Sequence, residues 1–488
     1  MKRHTGSHEG VCCFWDGGVP QIEEENYMRR FLRPLGVVGA FLFALAIAAS
    51  ASAVGVPVKN TGISPDKFQP SQSCGCHAAL IEEWSQSMHA KALTDELFIA
   101  KVSEANAATD GKLGAFCKRC HAPAAEMTGE LAKGGALSPG PAEGISCSFC
   151  HQISGMLKGE PGNVSQLVDP SGTRRAQIED PQAPHPAAYS ELHRKADICG
   201  GCHNVNHPVN GMHLESTFSE WSKGPYAKEG IVCQDCHMSR QPGVIGPMTG
   251  RAAGGAPQRD NIYTMTFVGA QVAQGPSVVA TARLKSAATL VLEIPEIVPS
   301  GSSAQATVTI TNSGAGHYLP TGLTEVRQMW LEVTATDAGG KSTKLGERVF
   351  GTILQDDKGN APVELWDATK IKSDDRIPPK ESVTNQYAFT MPAGMEKATV
   401  KAALFYKSVP DELAKKAGVE NPTTEMAMDS KTVFASVAAR TKDAMGGAES
   451  PTLDAVQWSG MTTWVILGVL VVLAAVIANF WRRSRRSS

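Results

Sequence analysis

Large aromatic side chains are scarce in this chain: Phe, Trp and Tyr make up only 6% of 488 residues. Charge of one sign is also scarce, with 46 Lys and Arg against 48 Asp and Glu and a net charge of -2. That balance excludes the basic footprint that a nucleic-acid partner requires. Charged residues at 19% and hydrophobic ones at 42% speak against wholesale disorder and against a polytopic membrane protein. A chain of this length allows about three domains. Something other than aromatic side chains has to fill so large an interior.

Long apolar runs are confined to the two ends. Near the start, Met28 to Arg33 is basic, Leu35 to Ala49 is apolar, and Ala51-Ser52-Ala53 supplies small residues. That order is expected of a secretory signal over residues 28–53, with residues 1–27 upstream of the true start. Cys12 and Cys13 would then be absent from the mature protein. Near the end, Thr463 to Trp481 carries no charge, and Arg482, Arg483, Arg485 and Arg486 follow it. This pattern predicts a single transmembrane helix over 463–481 with a cytoplasmic basic tail over 482–488. Both ends then predict a single-pass inner-membrane protein with its bulk in the periplasm.

The interior divides by composition. Residues 54–272 hold the ten remaining cysteines and ten of the 13 histidines, with long Gly-, Pro- and Ala-rich loops between them. From 273 to 410 the pattern turns to period two, as in Ala304 to Thr311, Trp330 to Thr336 and Thr399 to Lys407, with a hairpin turn at Asp337 to Lys341. Such strands predict an antiparallel β-sandwich, immunoglobulin-like in character. Residues 411–462 read as a stalk. The expected fold class is α+β and multidomain: a mostly helical, loop-rich domain, an antiparallel sandwich and one C-terminal membrane helix.

Four times the cysteines recur as C-x-x-C-H: Cys117/Cys120/His121, Cys147/Cys150/His151, Cys199/Cys202/His203 and Cys233/Cys236/His237. This is the attachment pattern of haem c, in which two thiols bond the macrocycle and the following imidazole ligates the iron. A fifth element, Cys74-Gly75-Cys76-His77, is one residue short. It predicts a fifth haem ligated by His77 and bonded through Cys76, with the bond from Cys74 open. Zinc or disulfides would explain the cysteines but not the histidine that follows each pair.

The histidines left over are candidate distal ligands: His89, His185, His193, His207, His213 and His317. His89 is placed on a helix running from Ala78, and its imidazole is expected to reach a neighbouring haem. His185 lies between Pro184 and Pro186, and His193 on a helical stretch from Tyr189 to Ala196. His207 and His213 flank a turn. His317 is the lone histidine of the β region, in Gly314-Ala315-Gly316-His317-Tyr318-Leu319-Pro320-Thr321-Gly322. Its functional reading is a distal ligand donated across the domain interface. Six candidates for five irons argue for mainly bis-histidine haems.

Cys76-His77 with Glu83 to Ala90, Gly144 to His151, Ile198 to His203, Glu220 to Tyr226 and Cys233 to Met238 together resemble the multihaem cytochromes c of the c-552/c-554 type. The likeness covers residues 54 to 240, and the loop around His317 resembles β domains appended to such cytochromes. The resemblance implies His77, His121, His151, His203 and His237 as proximal ligands and His89 as a distal one. The expected role is electron transfer between a quinone-linked inner-membrane partner and periplasmic or outer-membrane redox proteins. The alternative is an oxidoreductase acting on a small nitrogen or sulfur oxyanion at one open haem. The chain lacks the C-x-x-C-K motif that pentahaem nitrite reductases carry at the catalytic haem.

Overall fold

The computed structural model describes residues 55–239, 243–275 and 277–445. The expected signal over 28–53, Cys12 and Cys13, the span over 463–481 and the tail over 482–488 lie outside the described residues. Among the described residues no helix is long and apolar enough to cross a membrane. The longest of them, Glu96–Ala108, has 13 residues, about 20 Å at 1.5 Å per residue against a hydrocarbon core of about 30 Å. The expected fold class is corrected on this point to a helical haem-binding part followed by a β-rich part. Single-pass location in the inner membrane, and the membrane as a partner through a C-terminal helix, are not supported by the described residues.

In the β-rich part, side chains alternate between a buried and an open face. Ala306, Val308 and Ile310 of the strand Ser303–Thr311 are buried, as are Met329, Leu331 and Val333 of Gln328–Asp337. Strand Lys397–Lys407 turns Val400, Ala402 and Leu404 to the same core. Period two leaves each strand one apolar face, and two sheets bury those faces against each other. One sheet orders Thr289–Glu293, Ser303–Thr311 and Ser382–Thr390; the other orders Ser342–Phe350, Gln328–Asp337, Lys397–Lys407 and Thr424–Phe434. Every pairing is antiparallel. At the hairpin after Asp337, the Asp337 carboxylate accepts the backbone N–H of Gly339 and Lys341 at 2.9 and 3.0 Å. Gly340 takes φ 84° there, a backbone that favours glycine.

The β part does not end at residue 410. Thr424–Phe434 pairs with Lys397–Lys407 along its length, so the expected stalk is, as far as residue 445, a sheet strand flanked by helices Asp411–Ala417 and Val437–Ala444.

The N-terminal part is built from short helices and loops. The attachment motifs lie on or beside such pieces: Gly75–His77, Gly114–His121, Cys147–Cys150, Asp197–Gly200 and Cys233–His237. A modest cluster of Phe68, Met127, Phe149, Ile153 and Val168 packs beside Cys120, Cys150 and Cys202. The rest surrounds a large cavity.

Candidate haem centres

All five motifs open onto that cavity, about 1320 Å³ in volume and lined by both parts of the chain. The ten described cysteines stand as thiols. Cys120 lies against Cys202 and Cys199 against Cys233. Cys74 and Cys147 are within electrostatic reach of each other, and so are Cys150 and Cys202. Among the described residues no three His, Cys, Asp or Glu side chains converge as a bare metal ion would need. Histidines meet in twos instead.

Each motif histidine has one ring nitrogen engaged. Nδ1 faces the carbonyl oxygen of Ala252 for His77 at 2.6 Å, and those of Ala92, Arg175 and Val268 for His121, His151 and His237 at 2.7 Å. A carbonyl oxygen only accepts, so Nδ1 carries the proton and Nε2 is left as the ligating atom. His203 faces a carboxylate, Glu215 Oε1 at 3.2 Å. Burial opposes its charge, but the hydrogen bond and negative charge of Glu215 raise it to about 9. Burial holds three of the other rings, those of His121, His151 and His237, towards the neutral form that a metal needs. It lowers His121 and His151, and it pushes His237 down to about 4.

Four motif histidines face a second histidine across a gap. Ring centres are 6.4 Å apart for His77 and His185, 6.3 Å for His89 and His203, 5.9 Å for His151 and His193, and 6.2 Å for His237 and His317. Two metal–imidazole bonds of about 2 Å, with about 1 Å from each nitrogen to its ring centre, add to about 6 Å. The gaps therefore fit one iron between each pair, and the residues present fit haem c. The second histidines arrive by separate routes. His193 places Nε2 at 3.1 Å from the carbonyl oxygen of Cys150 and leaves Nδ1 buried without a partner, so Nδ1 is the nitrogen left open. His185 and His317 engage Nδ1 with the carbonyl oxygens of Pro186 and Tyr318. His89 buries Nδ1 without a partner, and burial pushes it down to about 3.

Two local expectations change. The helix from Ala78 stops at Ser85, because the Ser87 side chain accepts the N–H of Ala90 and caps a new turn, Met88–Lys91, that carries His89. His193 sits on a 3-10 turn, Glu191–Arg194, after a strand, Ala187–Tyr189.

His121 has no histidine opposite it among the described residues. Phe98 stacks on its ring instead, at 3.6 Å and 7°. His207 is buried in its own turn, with Nδ1 accepting from the N–H of Val209 and Asn210, and Nε2 near the carbonyl oxygen of Trp366. His213 is exposed. Neither is paired with a motif histidine. Glu215 and Phe98 were not among the expected site residues. A carboxylate twelve positions after His203 and a Phe in a helix carry no spacing signal.

Residues 73–152 match a family described as cytochrome c554 and c-prime. No curated protein sequence matches. Among solved structures, a penta-heme cytochrome c552 from Thermochromatium tepidum is 22% identical with a TM-score of 0.56, covering 76% of this chain and 100% of its own. A CARDB domain from Pyrococcus furiosus, bound to di-metal ions, is 14% identical with a TM-score of 0.17, over 30% of this chain and 85% of its own.

Proposed function

We propose that this multihaem c-type cytochrome carries electrons along a row of five haems c, from a quinone-linked donor to acceptor proteins. The observation that supports the reading is the set of four histidine pairs at 5.9 to 6.4 Å. When bound, haem supplies a one-electron couple whose potential the axial ligands and surroundings set. The chain's part is to position and insulate. His77, His121, His151, His203 and His237 would each hold one haem iron, and His185, His193, His89 and His317 would hold four of the same irons. Cys76, Cys117, Cys120, Cys147, Cys150, Cys199, Cys202, Cys233 and Cys236 bond the macrocycles, with Cys74 as a candidate tenth.

Contacts between the motifs support an order for the row. His77 and His185 sit within electrostatic reach of His151, Cys150 within that of Cys202, and Cys199 lies against Cys233. The His77, His151, His203 and His237 sites then follow one another. The His121 site branches at His203, through the Cys120 contact with Cys202.

Among the described residues no histidine stands opposite His121, which favours a second reading for that one site, an open position for a small nitrogen or sulfur oxyanion. A haem assay with EPR of the oxidised protein tests both readings. Five haems per chain, four low-spin and one high-spin, are expected, and fewer than four haems overturns the assignment. Nitrite that leaves the high-spin signal unchanged, with no turnover under a reduced dye, would sink the second reading alone.

A further inference from the structure

If His317 ligates the iron held at His237, a loop of the β part must be held in register with a haem bonded to another domain. We propose that Glu220, paired with Arg376, is the positioning site that keeps this loop on the iron; the inference rests on the reading of His317 as a ligand. Glu220 stands on the helix Thr217–Lys223, in the haem-binding part. The start of that helix is tied to a motif histidine, since Phe218 N donates to the carbonyl oxygen of His203 at 3.0 Å.

The Glu220 side chain is 5% exposed and that of Arg376 8%. Glu220 Oε2 accepts the N–H of Tyr318 at 3.1 Å and the hydroxyl of Thr321 at 2.7 Å. One carboxylate oxygen thus holds the loop at the residue next to His317 and again three residues later. Oε1 accepts from Arg376 Nη1, and Arg376 lies over the Tyr318 ring, 5.0 Å from its centre. Two 2.8 Å bonds from Nε and Nη2 of Arg376 to the Asp374 carboxylate fix the guanidinium in the β part. On the far side, Asn312 Nδ2 donates to the carbonyl oxygens of His317 and Ile377 at 2.8 and 3.0 Å.

A buried carboxylate is costly unless donors surround it. Here every donor on Glu220 comes from the β part. The charge is therefore satisfied only while the two parts are docked, which couples docking to the position of His317.

The test uses the full haem-loaded protein and compares His317→Ala, Glu220→Ala, Glu220→Gln and Thr321→Val by EPR and visible spectra, with and without imidazole. Glu220→Ala is expected to convert one haem per chain largely to high spin, as His317→Ala does, with imidazole restoring low spin in both. Glu220→Gln keeps one acceptor oxygen and is expected to give a partial, imidazole-reversible conversion. Thr321→Val removes one donor and is expected to give a smaller one. If His317→Ala changes a haem while Glu220→Ala loads five haems and matches the parent spectrum, the positioning role is wrong. If His317→Ala changes nothing, the ligand reading itself fails. Should Glu220→Ala not fold, an unchanged spin state in both Glu220→Gln and Thr321→Val overturns the proposal.

Discussion

The two parts of the molecule solve the problem of an interior in opposite ways. The β part fills its own: Val308, Ile310, Met329, Leu331, Phe350, Phe389, Val400 and Leu404 are fully buried against one another, each contributing about 1.5–3 kcal/mol. The haem-binding part is a wall around a cavity of about 1320 Å³. Side chains that line a space of that size have no packing partners across it until something fills it. Only one of the two sequences specifies its fold by side chains alone.

Withholding haem should affect the two parts most unequally. The full chain made without haem attachment is expected to keep slow amide exchange across 289–434 and to exchange rapidly across 55–275. Equal protection in both stretches would show that the haem-binding part packs without its cofactor.

The same contrast governs what the sequence revealed. The sandwich was legible because period two is local: a strand such as Gln328–Asp337 declares its buried face in its own residues. The motif histidines were legible for a different reason, since thioether chemistry demands a fixed spacing. The second histidines were legible as residues but not as partners. Pairing His89 with His203, or His185 with His77, depends on loops whose paths follow the cavity rather than any periodicity. The break at Ser87 was missed because a single side-chain cap outweighs the helical propensity around it. The strand Thr424–Phe434 was missed because Asp429-Ser430-Lys431-Thr432 within it is polar on both faces and breaks the period of two.

A buried acid sharpens the comparison at the seam between the parts. Glu325 leaves Oε1 without a partner, and burial raises it to about 7, with Lys101 of the haem-binding part and Arg327 opposing and Glu364 adding to the shift. Its folded pKa lies above its unfolded value, so the folded state binds more protons between about pH 4.5 and 7. Stability should fall as pH rises through that window, by about 3 kcal/mol in all at 1.36 kcal/mol per unit. Glu325→Gln is expected to remove that component. The variant should match the parent near pH 4.5 and unfold at a higher temperature at pH 8. An equal midpoint at pH 8 would mean that the carboxyl is solvated in the loaded protein.

The smallest expected effect concerns what holds the two parts together. Glu229 pairs with Lys380 across the same seam at 2.5 Å, but both side chains are nearly half exposed, at 45% and 43%. An exposed pair of this kind contributes about 0–1 kcal/mol and is screened by salt, and Lys380 keeps its place over the Tyr226 ring, 4.7 Å from the centre. Glu229→Gln is therefore expected to change stability by less than about 0.5 kcal/mol, with no change in any haem's spin state. A spin-state change in one haem like that expected of Glu220→Ala would place the hold on the interface in its solvated rim, and would remove the distinction between a buried carboxylate that positions a ligand and a surface charge that does not.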